Sequence, residues 1–156
     1  GLGLEGAIAI EPGDHMPLIP RHLLKVFADV PVTSKLDLSV ELLGAGGVYA
    51  RGNENNEHEP DGVYYLGEGR TDGYAIITLA GDYELRPWLH VIGQVNNLFN
   101  TEYATAAQLG PAGFAANGNF VARPFPAVNG EFPGRHTTFL APGAPLRAWA
   151  GVRMHF

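Results

Sequence analysis

Residues 53–61 read Asn53, Glu54, Asn55, Asn56, Glu57, His58, Glu59, Pro60 and Asp61, the densest set of potential ligands in the chain. Oxygen donors of this kind suit a hard cation, and calcium takes about six to eight of them on a turn that gathers them. Here the acidic residues miss the first and twelfth positions of the helix–loop–helix calcium motif. A solvated surface loop is therefore the stronger reading, and weak divalent binding the remaining one. The histidines His15, His22, His58, His90, His136 and His155 are scattered, and none pairs with another at His-x-x-x-His spacing. Gly1, Leu2, Gly3, Leu4, Glu5 and Gly6 match the dinucleotide fingerprint in form. That motif works only between a strand and a helix, and here it leads through residues 7–10 into Pro12 and Gly13. No Gly-x-Ser-x-Gly elbow occurs, and the lack of cysteine removes thiol catalysis, disulfides and cysteine metal sites. Carboxylates paired as in a glycosidase are permitted by the spacing, but no feature points to them. The chain reads as a non-enzyme without a cofactor or metal site.

The polar residues that do follow a rule are spaced by two. Over residues 146–156, Arg147, Trp149, Gly151, Arg153 and His155 alternate with Leu146, Ala148, Ala150, Val152, Met154 and Phe156. Period two means a β-strand. An apolar face opposite one carrying arginines and a histidine is what a membrane barrel strand needs, with lipid outside and a wet lumen inside. The pattern recurs upstream. Leu24, Val26, Ala28 and Val30 oppose Lys25 and Asp29; Leu36, Leu38, Val40 and Leu42 oppose Asp37, Ser39 and Glu41. Ile77, Leu79 and Gly81 oppose Ile76, Thr78 and Asp82, and Leu89, Val91, Gly93 and Val95 oppose His90, Gln94 and Asn96. This predicts an all-β, antiparallel fold of about five strands, near 22–32, 36–50, 74–84, 88–99 and 146–156. No comparable 3.6-residue period marks a long helix.

Composition fits. Charged residues are 17% of the 156, fewer than the roughly 25% of soluble domains. The 21 glycines and 12 prolines require many turns. A net charge of −6 with no basic cluster argues against a nucleic-acid partner. No apolar run is long enough for a transmembrane helix, but barrel strands average to neutral hydropathy and would escape such a test. Short turns at 31–35 and 84–87 alternate with long segments at 43–73 and 98–145. That is the layout of an outer-membrane barrel with short periplasmic turns and long extracellular loops. Tyr49, Tyr64, Tyr65, Tyr74, Tyr83, Trp88, Phe99 and Tyr103 fall near strand ends, where interfacial aromatic girdles would place them.

Four stretches in this order resemble the C-terminal barrel portion of TonB-dependent outer-membrane receptors. The first is residues 13–22, with Pro17, Leu18, Ile19, Pro20, Arg21 and His22, running into Lys25. The second is Tyr49, Ala50, Arg51 and Gly52 leading into the asparagines of the polar loop. The third is Val95, Asn96, Asn97, Leu98, Phe99 and Asn100 with Tyr103 downstream, similar to a family motif at a strand end. The fourth is residues 139–145 followed by the terminal strand ending in Phe156. Family members carry an N-terminal plug domain and a many-stranded barrel. The resemblance implies that residues 1–156 are a C-terminal fragment of such a barrel, with the plug absent from these residues.

The resemblance further implies residence in the bacterial cell outer membrane and energised uptake of a ferric siderophore or other large nutrient by the full-length receptor. The partners implied are outer-membrane lipid, the rest of the barrel and the plug, the TonB complex through the missing N-terminal part, and the barrel-assembly machinery. Asn97, Leu98, Phe99 and Tyr103 would be the family motif. Val152, Met154 and Phe156 would belong to the signal read at assembly. Lys25, Asp37, Glu41, His90, Gln94, Arg147 and Arg153 would face the lumen. The alternatives are a soluble β-sandwich binding or adhesion module, since short strands and Gly/Pro-rich loops suit that too, or another outer-membrane barrel such as a porin.

Overall fold

The computed structural model describes residues 8–57, 67–115, 119 and 134–156. The nucleotide-like residues 1–6, the ligand-rich stretch from His58 to Asp61, and Tyr64 and Tyr65 lie outside them.

The chain forms two compact units. One unit comprises residues 20–46, 73–103 and 142–156 and holds a five-stranded antiparallel sheet. Its strands are β1 (Leu23–Thr33), β2 (Leu36–Ala45), β3 (Tyr74–Arg86), β4 (Leu89–Asn96) and β7 (Arg147–Met154), paired in the order β1-β2-β3-β4-β7. Two strands expected nowhere in the sequence reading, β5 (Ala104–Ala115) and β6 (Gly134–Pro142), pair with each other. The stretch 98–145 is therefore not wholly loop. The first of its two strands is hidden because residues 104–115 are mostly alanine and glycine with no polar alternation to reveal a period. The second strand was expected to reach residue 50 and ends at Ala45. Gly46 and Gly47 end it, since residues without side chains weaken a strand interior.

Register explains why one face is almost wholly apolar, the exceptions being Tyr83 and, past strand bulges, Thr33 opposite Leu36 and Arg86 opposite Leu89. Residues directly opposite on neighbouring strands share a face. Val26 lies opposite Leu42, Leu42 opposite Ile77, Leu79 opposite Val95, and Val95 opposite Ala148. The resulting face carries Leu24, Val26, Ala28 and Val30 on β1, then Leu36, Leu38, Val40 and Leu42 on β2. Across β3 it continues with Ile77, Leu79, Gly81 and Tyr83. It ends on Val91, Gly93 and Val95 of β4 and Ala148, Ala150, Val152 and Met154 of β7. Short links at 34–35 and 87–88 join β1 to β2 and β3 to β4, and both lie at one end of the sheet. The His155 amide donates to Trp88 O at 3.0 Å, so the chain's last residues reach that same end. Bulges interrupt the ladder at Pro31/Thr33 and Glu84/Arg86, next to these links. Pro31 can sit in a strand because β1 is an edge of this sheet and a bulge follows.

Among the described residues the buried apolar side chains are Val48, Ala50, Ala107 and Leu109, and none belongs to the five-stranded sheet. Leu24, Val26, Val91, Val152 and Met154 are instead each more than two-fifths exposed. A soluble sandwich buries one face of each sheet against the other. In the five-stranded sheet this apolar face stays exposed, unlike the inner face of a sandwich sheet.

The other unit comprises residues 1–19, 47–72 and 104–141. Its small core is Ala50, Ala107 and Leu109. Arg51 threads it: its amide donates to Ala107 O and its carbonyl accepts from Leu109 N, at 2.9 and 2.8 Å.

Candidate functional site

The polar face of the five-stranded sheet gathers every residue expected to line a lumen. Lys25 and Glu41 stand near one another on β1 and β2, 3.1 Å apart, with the lysine ammonium 4.8 Å from the Phe27 ring centroid. Asp29 accepts from Ser39 Oγ at 2.6 Å in the next cross-strand pair but one. Asp37 lies opposite Asp82. His90 and Gln94 project from β4 to the same face as Arg153 and Arg147 of β7, because His90 pairs with Arg153 and Asn96 with Arg147. Gln94 Nε2 donates to Asn96 Oδ1 at 2.6 Å. Asp82 is the hub: His90 Nδ1 is 2.7 Å from one carboxylate oxygen and Arg153 binds the other. The His155 ring meets His90 edge-on with centroids 5.6 Å apart. The sequence reading put Asp82 on the polar side but did not single it out. Alternation gives its face, whereas its partners depend on the β3–β4–β7 register.

The motif residues Asn97, Leu98, Phe99 and Tyr103 come together where β4 ends, at the opposite end of the sheet from the short links. Asn97 is 2% exposed, and both it and Asn100 adopt the left-handed conformation, at φ 49° and 51°. Asparagine tolerates that region because its short polar side chain bonds nearby backbone. Asn97 Nδ2 donates to Thr101 O at 2.9 Å and Ala144 O at 3.0 Å, while its Oδ1 accepts from Thr101 N at 2.9 Å. Asn100 Oδ1 accepts from Leu146 N at 2.9 Å. The Leu98 amide donates to Ile77 O on β3. Phe99 is exposed. Tyr103 packs on Tyr74 with centroids 4.3 Å apart and the rings tilted by 33°, and lies against Gly143, whose amide donates to Tyr103 O at 2.7 Å. Tyr74 is thus on the polar face, opposite Ala45, rather than in an outward girdle. Tyr83, Trp88 and Phe99 are exposed at the sheet's ends.

On β7, Val152 and Met154 lie on the apolar face, and Phe156 is fully exposed beyond the strand. Arg147 and Arg153 occupy the opposite face.

In the other unit, Asn53 and Asn56 of the ligand-rich loop spend their amides on backbone, while Asn55 Nδ2 donates to the Glu57 carboxylate at 2.9 Å. Asn53 Nδ2 donates to Gly69 O at 3.0 Å, and Asn56 Nδ2 donates to His15 O at 3.0 Å while its Oδ1 accepts from the His15 amide. The His15 ring stacks on Tyr49. Tyr49, Asn53, Asn56, Glu68 and Arg70 line a shallow polar groove of about 370 Å³.

No protein-family model matches the sequence, and no curated protein sequence matches it. Solved structures do match. The closed form of the ferric-catecholate import receptor Fiu from E. coli K12 superposes with a TM-score of 0.56 at 18% identity, covering 90% of this chain and 15% of the receptor. Its open form gives 0.56 at 17% identity, over 88% of this chain and 16% of the receptor. The siderophore receptor PiuA from Acinetobacter baumannii gives 0.52 at 15% identity, over 90% of this chain and 15% of the receptor. The chain therefore spans about 15% of the length of these receptors. At such identities the likeness is one of fold: all-β and antiparallel, a segment of an outer-membrane-type β-barrel.

Proposed function

We propose that these residues form part of the barrel wall of a TonB-dependent outer-membrane receptor, whose full-length chain imports a ferric siderophore or another nutrient too large for porins. One observation carries this reading: the five-stranded sheet exposes an apolar row, while its other face holds Lys25–Glu41 and the Asp82–His90–Arg153 cluster. Water would penalise that row, and hydrocarbon would not. The likeness in fold to the import receptor Fiu and the siderophore receptor PiuA supports the same reading. In it, Lys25, Asp37, Glu41, His90, Gln94, Arg147 and Arg153 line a wet lumen beside a plug supplied by another part of the protein. Their charges hydrate that space and meet the plug; nothing assigns them to cargo contact. The wall does no chemistry.

Site-directed spin labels in the full-length protein test the facing. Labels at Val40, Val91 and Val152 should show high accessibility to oxygen dissolved in lipid, and labels at Glu41 and Gln94 high accessibility to a water-soluble nickel chelate. The reverse pattern, or uniform water access, overturns the membrane assignment. Uptake is tested separately. Cells lacking the gene should lose growth on a ferric catecholate as sole iron source, and collapse of the proton-motive force should stop transport. Uptake that survives de-energisation identifies a passive porin instead.

A further inference from the structure

Alternation alone leaves the position of β7 on β4 underdetermined. A slip by one residue turns every side chain to the wrong face and is excluded by the apolar row. A slip by two keeps both faces. Val91, Gly93 and Val95 would then meet the β7 residues Val152, Ala150 and Ala148 displaced by one pair, all small and apolar. For β1–β2 and β3–β4 the short links at 34–35 and 87–88 set the register, as tight turns do. Between β4 and β7 the chain makes a long excursion, residues 97–146, and has no such turn.

We infer that Asn97 and Asn100 are a clasp that sets the register of β7 on β4 and makes that register independent of residues 104–142. The clasp joins the outgoing and returning chain below the excursion. Asn97 bonds Thr101 on the way out and Ala144 on the way back; Asn100 holds the amide of Leu146, the residue before β7. The Gly143 amide bonded to Tyr103 O brings the two sides within one hydrogen bond of each other. Leu98 N to Ile77 O anchors the whole to β3. Each of these bonds lies within residues 73–103 and 142–156, so none needs residues 104–141. At the far end β7 is pinned by Arg153 on Asp82 and by His155 N on Trp88 O. The ion pair there is part exposed and holds register weakly. The buried amide of Asn97, by contrast, would leave the Ala144 carbonyl without its donor if β7 moved.

Disulfide trapping on the folded full-length protein reads the register. These residues contain no cysteine to interfere. Gln94→Cys with Trp149→Cys reports the observed pairing; Gln94→Cys with Arg147→Cys, or with Gly151→Cys, reports a two-residue slip in either direction. Replacing 104–142 with a short Gly-Ser linker should leave the observed cross-link within about two-fold of the intact protein. Asn97→Gly with Asn100→Gly keeps the left-handed backbone but removes both side chains. In either background it should lower the observed cross-link at least three-fold and raise a slipped one. Loss of the observed cross-link on excision with both asparagines present overturns the independence. An unchanged yield in the double glycine variant overturns the clasp. Should that variant not fold, Asn97→Asp decides, since it retains the acceptor for Thr101 N but not the donor for Ala144 O. A lowered yield is expected, and a wild-type yield refutes the assignment. Cross-linking is read on folded protein recovered from membrane or from buffer, so failure of the membrane reading would not be mistaken for failure of the clasp.

Discussion

Placing a charge on the apolar row of β7 is the most demanding test of the barrel assignment. Val152 lies opposite Val91 and is 60% exposed on the face proposed to meet lipid. β7 runs from Arg147 to Met154, so Val152 sits about 5 Å along the strand from its middle at roughly 3.3 Å per residue. Taking the strand's middle as the midplane of an apolar band about 25 Å tall, with a strand tilt of about 40°, that is about 4 Å of depth. An arginine facing lipid costs roughly 2–4 kcal/mol at the midplane and close to nothing at the interface. Linear interpolation leaves about 1.4–2.8 kcal/mol for Val152→Arg, an equilibrium factor of roughly 10 to 100. Arg153→Gln is the control one residue away. It breaks the contact with Asp82 on the opposite face but puts no charge in hydrocarbon, and the pair it removes is partly exposed. The full-length protein refolded into lipid vesicles and titrated with guanidinium gives both values, with gel mobility of unboiled samples as a second readout. Val152→Arg should lower the midpoint clearly and Arg153→Gln little. Equal stability of Val152→Arg and wild type, or a larger loss in Arg153→Gln, would falsify the assigned facing.

Three further outcomes are expected. Residues 1–156 alone should not give a monomeric, cooperatively melting protein without detergent. Five strands leave two open edges, and even the smallest membrane barrels use about eight; a sharp thermal transition with a monomeric sedimentation profile contradicts this. Deleting Phe156 should slow assembly in pulse-chase experiments if the assembly machinery reads it, and wild-type kinetics remove it from that role. A β-carbon at residue 143 would lie 2.2 Å from the Tyr103 ring, so Gly143→Ala should destabilise by about 1–3 kcal/mol through overpacking. Adding Tyr103→Leu should recover part of that loss, and a strictly additive double mutant in denaturant titrations would show that the ring is not the obstacle.

The faces of the sheet were legible because period two is a local property. Asp37, Glu41, His90, Gln94, Arg147 and Arg153 each sit between apolar neighbours, so their side follows from residues within two positions. The strands β5 and β6 were not legible for the converse reason. Ala104, Ala106, Ala107 and Gly110 carry no contrast between faces, and what holds that region is backbone pairing with distant partners, β6 and Arg51. Tyr74 was misplaced in a girdle because position near a strand end says nothing about face. Its register opposite Ala45 and its packing on Tyr103 decide that.

The site divides in the same way. That Asn97 and Asn100 belong at a strand end was readable from residue type, since asparagine bonds local backbone and accepts a left-handed turn. That their side chains reach Ala144 and Leu146 was not, because those bonds close a separation of nearly fifty residues. The same holds for Asp82, which joins β3 to β4 and β7 at once. Alternation chooses the face of every residue but is blind to an even slip. The groups that break this degeneracy must therefore be specific, polar and long-range, which is the class of contact a local pattern cannot display. Asn97 at one end of the β4–β7 seam is of that kind, and Asp82 reaches across from β3 to Arg153 at the other with a weaker, part-exposed contact, whereas the valines between are interchangeable.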